Sequence, residues 1–160
     1  MRNEFGKTIC ELAEKDSAVL LITGDIGYGI FDEYRKRFKD RFLNLGICEQ
    51  SMIGVAAGMA LEGLKPYVYT ITPFLIERPF EQIKIDIDQQ KTNVKLVGYA
   101  DYPLKSGPTH RELDARTLMS LFSNIKSYFP KDSLETREFL LESYRNPNPA
   151  FISLKNNPVT

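Results

Sequence analysis

Glu49 stands in the run Leu45-Gly46-Ile47-Cys48-Glu49-Gln50, where a short apolar strand pattern over residues 41–45 gives way to a helix of small residues over 51–62. A side chain at such a junction lies on the rim where open α/β sheets bind ligands. It also lies near helix amides that favour negative charge. A glutamate there can hold or move a proton, or it can simply cap the helix. Other residues with chemistry in them fall at matching places: Asp25 and Ile26 after a first strand, Phe74 and Arg78 after the strand that follows the helix, and His110 in the loop after the next. In a doubly wound sheet these loops share one edge, so an acid, an imidazole, an aromatic face and a cation converge there. Each has a plainer reading too: Ile26 and Phe74 as packing residues, Arg78 as a surface charge, His110 as a loop residue without a task.

What the chain lacks narrows the chemistry. Gly24, Gly27 and Gly29 follow a strand, but a dinucleotide fingerprint starting at Gly27 needs a third glycine where Asp32 stands. There is no GxxxxGK[ST] phosphate loop and no GxSxG nucleophile elbow. His110 is the only histidine, which excludes multi-histidine metal sites and leaves any Ser-His-Asp triad dependent on it. Cys10 and Cys48 form no CxxC and no zinc-spaced pair, and their separation argues against a disulfide framework. Lys plus Arg equals Asp plus Glu at 21 each, so no basic excess points to nucleic acid or an anionic membrane. The cluster Arg35-Lys36-Arg37 is balanced by Asp32, Glu33 and Asp40 and reads as a solvated helix face. The start, Met1-Arg2-Asn3-Glu4, has no apolar signal region, and no run approaches the ~20 apolar residues of a membrane span, so a cytoplasmic location is expected.

The elements that must position these residues alternate between helical and strand periods. Phe5, Ile9 and Leu12 mark one face of a first helix over residues 3–15. Ala18-Val19-Leu20-Leu21-Ile22 is wholly apolar, as strands buried on both faces are. A short amphipathic helix over 31–38, the strand before Glu49 and the small-residue helix follow, the last stopped by Gly63 in a C′ position. Residues 66–71 read as a strand, and Pro73 opens a helix expected to run to Asp88. A strand over 94–98, a helix near 114–122 and a strand near 125–128 come next. Asp132-Ser133-Leu134-Glu135 has capping-box spacing and starts a long helix, and residues 150–154 supply the last strand. The expectation is one α/β domain over 1–160: a three-layer, doubly wound, mainly parallel sheet of about six strands with helices on both faces.

With those elements in place, the residues carry a family resemblance. Leu45-Gly46-Ile47-Cys48-Glu49-Gln50, Gly54-Val55-Ala56-Ala57-Gly58-Met59-Ala60 and Gly63-Leu64-Lys65-Pro66 resemble the pyrimidine-binding domain of transketolases. So do Gly24-Asp25, the stretch from Phe74 through Arg78 to Gln82, Gly107-Pro108-Thr109-His110 and Asn148-Pro149-Ala150-Phe151-Ile152-Ser153-Leu154. The match keeps its order from about residue 3 to 155, and the 1-deoxy-D-xylulose-5-phosphate synthases share much of it. The resemblance implies thiamine diphosphate, whose reactive carbon loses its proton to the cofactor's own 4′-amino group once an acid is bonded to ring N1′. Glu49 matches the glutamate in that role, with Ile47, Cys48 and Met52 as an apolar setting that favours a shared proton. Phe74 matches the aromatic residue stacked on the aminopyrimidine, Ile26 the aliphatic residue beneath the bent cofactor, and Asp25 a polar contact nearby. His110 matches a histidine that contacts the donor sugar and assists proton movement, and Arg78 falls near the substrate channel. The small-residue helix lies at the family's subunit interface, which implies self-association through residues 51–62 and is compatible with a heterotetramer.

The resemblance stops at the diphosphate half. That half carries a Gly-Asp-Gly and a later Asn that hold magnesium and diphosphate. No Gly-Asp-Gly occurs here, and Asn156-Asn157 has nothing upstream to pair with. The chain also ends before the family's C-terminal domain begins. A separate diphosphate-binding partner subunit is therefore expected, with the active site formed between chains. Lys105-Ser106 stand where the family often has an acidic residue, and Arg111-Glu112-Leu113-Asp114 reads as a shortened segment, so donor identity stays open. Ketol transfer between sugar phosphates is the leading expectation. A thiamine-dependent 2-oxo acid decarboxylase or acyloin synthase subunit, and a catalytically silent structural subunit, remain as alternatives.

Overall fold

The first wholly apolar run becomes β1 (Val19–Thr23), and all of it is buried. Before it, α1 (Arg2–Lys15) presents Phe5, Ile9 and Leu12 to the core as its periodicity requires. After it come α2 (Asp32–Arg37), a 3₁₀ turn over Lys39–Arg41, β2 (Phe42–Asn44) and α3 (Glu49–Leu61). β3 (Lys65–Ile71), α4 (Thr72–Ile76) and α5 (Phe80–Gln82) lead into a π-helical turn over Ile83–Gln89. β4 (Lys95–Tyr99), α6 (Ala115–Met119), β5 (Lys126–Tyr128), α7 (Ser133–Arg145) and β6 (Ala150–Leu154) complete the order. The computed structural model describes residues 1–103, 106–111 and 113–156. Lys105, Glu112 and Asn157, three of the positions that bear on the family resemblance, lie outside the described residues.

All six strands pair in parallel, in the order β2-β1-β3-β4-β6-β5. Side chains alternate across the sheet, as the period of two dictates. Leu21, Tyr67, Tyr69, Val97 and Ile152 face a core shared with α1, α2 and α7, while Ile22, Val68, Leu96 and Phe151 face one shared with α3, α4 and α6. The sheet is thus covered on both faces, the three-layer arrangement expected. The chain runs from β1 outward to β2 and returns to β3 on the other side of β1. That reversal opens a crevice beyond the carboxyl ends of β1 and β3.

Several local expectations are corrected. The helix expected to run unbroken from Pro73 to Asp88 is divided into α4, α5 and the π turn. Pro79 is the cause: it has no N–H to continue the ladder, and its ring opposes the carbonyl four residues back. α3 starts at Glu49, two residues before the expected Ser51, so Glu49 is its first helical residue. The strand expected over 41–45 is only Phe42–Asn44, because Arg41 belongs to the 3₁₀ turn. The helix expected near 114–122 spans only Ala115–Met119. In the capping box, Asp132 accepts from the amides of Leu134 and Glu135, but Glu135 reaches back to the Lys131 amide rather than to that of Asp132. Gly63 behaves as expected: at φ +88 it ends α3 in a Schellman arrangement, with Leu64 N–H donating to Met59 O and Gly63 N–H to Ala60 O.

Lys95 is a buried cation at the amino end of β4, only 1% exposed, and its Nζ donates to the carbonyls of Asn146 and Asn148 just past α7. Burial, with a smaller contribution from the Lys65 charge, pushes its ammonium down from 10.5 to about 7. Between those two values the unfolded chain holds a proton that the folded chain has released. The unfolded state therefore binds more protons there, and stability rises with pH across that window. The contribution is fully present above 10.5 and is lost as pH falls through about 7. Unfolding free energy is expected to climb from pH 7 to 10 relative to a Lys95→Met variant. Urea midpoints of the two proteins across that range measure the difference, and parallel curves would show that the buried amine stays charged.

Candidate active site

The loops at the carboxyl ends of β2, β3 and β4 bring four of the six candidate residues into one chain of contacts. Glu49 opens α3 with its side chain only 4% exposed. Its two oxygens both accept from Arg78 Nη1, each at 3.0 Å, so its carboxylate is engaged by a cation rather than by capping its own helix. Arg78 also lays its guanidinium over the Phe74 ring, with Cζ 3.5 Å from the centroid. Phe74 meets His110 edge to face, ring centroids 4.8 Å apart. His110 in turn stacks on Tyr102 at 5.0 Å.

Local folding explains this convergence. Pro73 sits in the first turn of α4, where a missing N–H costs nothing, and so places Phe74 directly beyond β3. The break at Pro79 lifts Arg78 out of helical periodicity, which lets it reach back to α3. Its neighbour Glu77 turns the other way and accepts from the Leu113 amide at 2.9 Å, tying this turn to the segment that follows His110. His110 closes a 3₁₀ turn over Pro108–His110 that begins after Gly107 at φ +100, a left-handed conformation that suits glycine.

Asp25 and Ile26 lie on the adjacent loop with their side chains occupied differently. Asp25 adopts φ +54, which a short polar residue tolerates when its side chain bonds locally. Its amide donates to Asn44 Oδ1, and its carboxylate accepts from Asn44 Nδ2 and from the Tyr28 hydroxyl. That last bond raises the Tyr28 phenol above its ordinary value. Ile26 packs, half-buried, against the core on the α1 side. Asn44 Oδ1 also accepts from the Gly46 amide, which fastens the loop after β1 to the one leading to Glu49.

Three participants were missed by sequence reasoning: Asn44, Glu77 and Tyr102. Glu77 stands inside the motif around Phe74 and Arg78, and Asn44 closes a strand that had been located. Nothing local marks Tyr102. The apolar setting expected for Glu49 is only half present: Met52 is fully buried, but Ile47 is 70% exposed. Ile47, Cys48, Gln50 and Ser51, with Glu49 and Arg78, instead line an open cleft of about 430 Å³. The arrangement offers a buried carboxylate, an aromatic face joined to it through the Arg78 guanidinium, an imidazole on the same rim and an open cleft at the carboxylate. Such a set can grip a flat ring by edge and face and exchange a proton with it.

Comparison with known proteins identifies the family. Residues 1–159 match the family described as transketolase, pyrimidine binding domain. The chain is 35% identical over 157 residues to a 1-deoxy-D-xylulose-5-phosphate synthase of Oleidesulfovibrio alaskensis, covering 92% of this chain and 23% of that protein. It is 41% identical over 123 residues to one subunit of an apulose-4-phosphate transketolase of Actinobacillus succinogenes, covering 74% of this chain and 39% of the relative. Among solved structures, an inactive beta4 tetramer of a split gene transketolase superposes with a TM-score of 0.88 at 29% identity, covering 99% of this chain and 52% of that one. The chain therefore spans about half or less of the length of each of these relatives. With the sequence match running almost end to end and the sheet superposing on a transketolase, the chain belongs to the transketolase pyrimidine-binding domain family.

Proposed function

We propose that this chain is the pyrimidine-binding subunit of a split thiamine diphosphate-dependent transketolase-like enzyme of carbohydrate metabolism, moving a two-carbon ketol unit between sugar phosphates. The observation that carries the reading is the buried Glu49 carboxylate joined through the Arg78 guanidinium to the Phe74 ring, with His110 on the same rim. The residues fit half of the cofactor: a carboxyl for a ring nitrogen and an aromatic face for a flat ring. When bound, thiamine diphosphate supplies a nucleophilic carbon whose activation depends on the proton at ring N1′.

In this reading Glu49 holds and returns that proton at N1′. Phe74 stacks on the aminopyrimidine, Ile26 supports the bend of the cofactor from the neighbouring loop, and Asp25 contributes a polar contact beside it. His110 faces the donor sugar and takes or gives a proton at its hydroxyl oxygen, while Tyr102 fixes the plane of the imidazole. Arg78 stands close enough to the cleft to meet an anionic substrate. We take residues 1–160 as one domain, and we place it in the cytoplasm because Cys10 and Cys48 are free thiols of the kind a reducing compartment maintains. No helix among the described residues is long and apolar enough to cross a membrane.

Magnesium and the diphosphate are assigned to a partner subunit. The sequence has no Gly-Asp-Gly, the motif that would hold them. The names of two relatives, one a single subunit of a transketolase and the other a split gene transketolase, support a divided enzyme. Self-association is assigned to the outer face of α3. Val55 and Leu61 are 39% and 64% exposed there, and a Cβ added at Gly54 or Gly58 would meet nothing, which leaves that face open for another backbone.

Calorimetry tests the divided site. The chain alone is expected to bind thiamine diphosphate and magnesium too weakly for calorimetry to register, through the pyrimidine contacts only, and an equimolar mixture with a diphosphate-binding partner is expected to bind tightly. The mixture should then release aldose from a ketose phosphate and no carbon dioxide from pyruvate. Tight binding by the chain alone would refute the division of the site, and carbon dioxide release would reassign the reaction.

A further inference from the structure

Arg78 satisfies two surfaces at once. Its Nη1 donates to both oxygens of Glu49 at 3.0 Å, and its Cζ lies 3.5 Å from the Phe74 centroid. A guanidinium is flat and delocalised, with N–H donors around its edge. An aminopyrimidine gripped by the same residues makes the same two demands: an edge toward the carboxyl and a face against the aromatic ring. Two planar groups cannot both fill the space between Glu49 and that face of Phe74.

We propose that Arg78 is an internal occupant of the pyrimidine position, held there until the cofactor's ring displaces it. The inference rests on the cofactor assignment made above and goes beyond it by giving the unloaded chain a defined closed state. Three observations show that displacement is feasible. Arg78 stands in the break between α4 and α5, so its side chain can turn without unwinding a helix. The side chain is 38% exposed, although the carboxylate it holds is only 4% exposed. The cleft of about 430 Å³ that it helps to line gives the displaced guanidinium somewhere to go. The closed state also keeps the buried carboxylate of Glu49 paired in the absence of cofactor, a charge that would otherwise be costly to leave alone. Displacement then releases a cation toward the cleft as the ring arrives, which couples cofactor loading to the appearance of a positive charge beside the substrate. The occupant lowers apparent affinity by the fraction of chains in which it is seated.

The test uses the intact chain and 4-amino-5-hydroxymethyl-2-methylpyrimidine, a probe with no diphosphate and so no need of the partner. Ligand-observed NMR gives its affinity, and the Arg78 Cδ and Nε resonances report on the guanidinium itself. Arg78→Met, which keeps the apolar stem, and Arg78→Ala are expected to bind the probe at least about ten-fold more tightly than the parent. In the parent the Arg78 resonances are expected to shift in step with probe saturation. Glu49→Gln is expected to abolish binding in either background. Equal or weaker binding by both Arg78 variants, with dependence on Glu49 retained, overturns the internal occupant and leaves the cofactor assignment standing. If neither the parent nor either Arg78 variant binds the probe, both are overturned.

Discussion

Under the proposed function, replacing Glu49 by glutamine is expected to lower ketol transfer by the assembled enzyme by about 10²- to 10⁴-fold, the range a positioned acid or base contributes. The substitution is nearly isosteric, so it tests protonation more than packing. In the unloaded chain the amide oxygen still accepts from Arg78, whose side chain is 38% exposed and open to water for its remaining donors. What the amide cannot do is hold a titratable proton at the ring nitrogen. Turnover should therefore collapse while circular dichroism stays unchanged. Glu49→Asp sharpens the point: it keeps the charge but draws the carboxylate back by one methylene from a position fixed by the first turn of α3. Aspartate is expected to be nearly as inactive as glutamine, because reach and not charge alone places the proton. Both variants are measured with ketose phosphate donor at saturating cofactor, beside the parent complex. Turnover within two-fold of the parent in either would mean that Glu49 is not the proton-bearing group.

The parts of this site that were legible in the sequence are those whose signal is local. Val19–Thr23 and Ala150–Leu154 announce themselves because a parallel strand covered on both faces has to be apolar throughout. Gly63 and the Asp132 box are read from caps, whose chemistry spans only a few residues. Those elements place Glu49, Phe74 and His110 on one rim, and the rim was therefore foreseeable. The pairing of Arg78 with Glu49 was not. It joins positions 29 apart in sequence, across two loops whose meeting depends on strand order, and no periodicity encodes it. It also depends on the break at Pro79, since an unbroken helix from Pro73 would have pointed Arg78 elsewhere. Tyr102 is hidden for a related reason: its task is defined entirely by the ring of His110 stacked on it. The positions of the candidate residues were thus legible, and the contacts that join them were not.

Gly98→Ala is expected to destabilise the chain by about 1–3 kcal/mol, the usual cost of overpacking a filled core. Gly98 lies in β4, and a Cβ there would stand 2.5 Å from Thr72 Oγ1, 3.3 Å from Thr72 Cα and 3.3 Å from Phe151 Cε2. Two of these neighbours have little room to yield: Phe151 is fully buried, and the Thr72 contact includes backbone. The strain must fall on Thr72, which opens α4 two residues before Phe74. Moving that helix start shifts the Phe74 ring relative to the His110 ring 4.8 Å away and the Arg78 guanidinium 3.5 Å away. The melting temperature should drop by roughly 2–4 °C for each kcal/mol lost. Probe binding at the Glu49 site should weaken along with it. Thr72 offers the means to separate these causes, because its buried hydroxyl has no hydrogen-bond partner among the described residues. Thr72→Ala therefore removes the shortest contact without breaking a bond, and the double variant should recover at least about 0.5 kcal/mol relative to the sum of the single changes. Thermal unfolding of the four proteins measures that coupling, and strictly additive losses would show that Gly98 is required by its strand alone and does not set the position of Phe74.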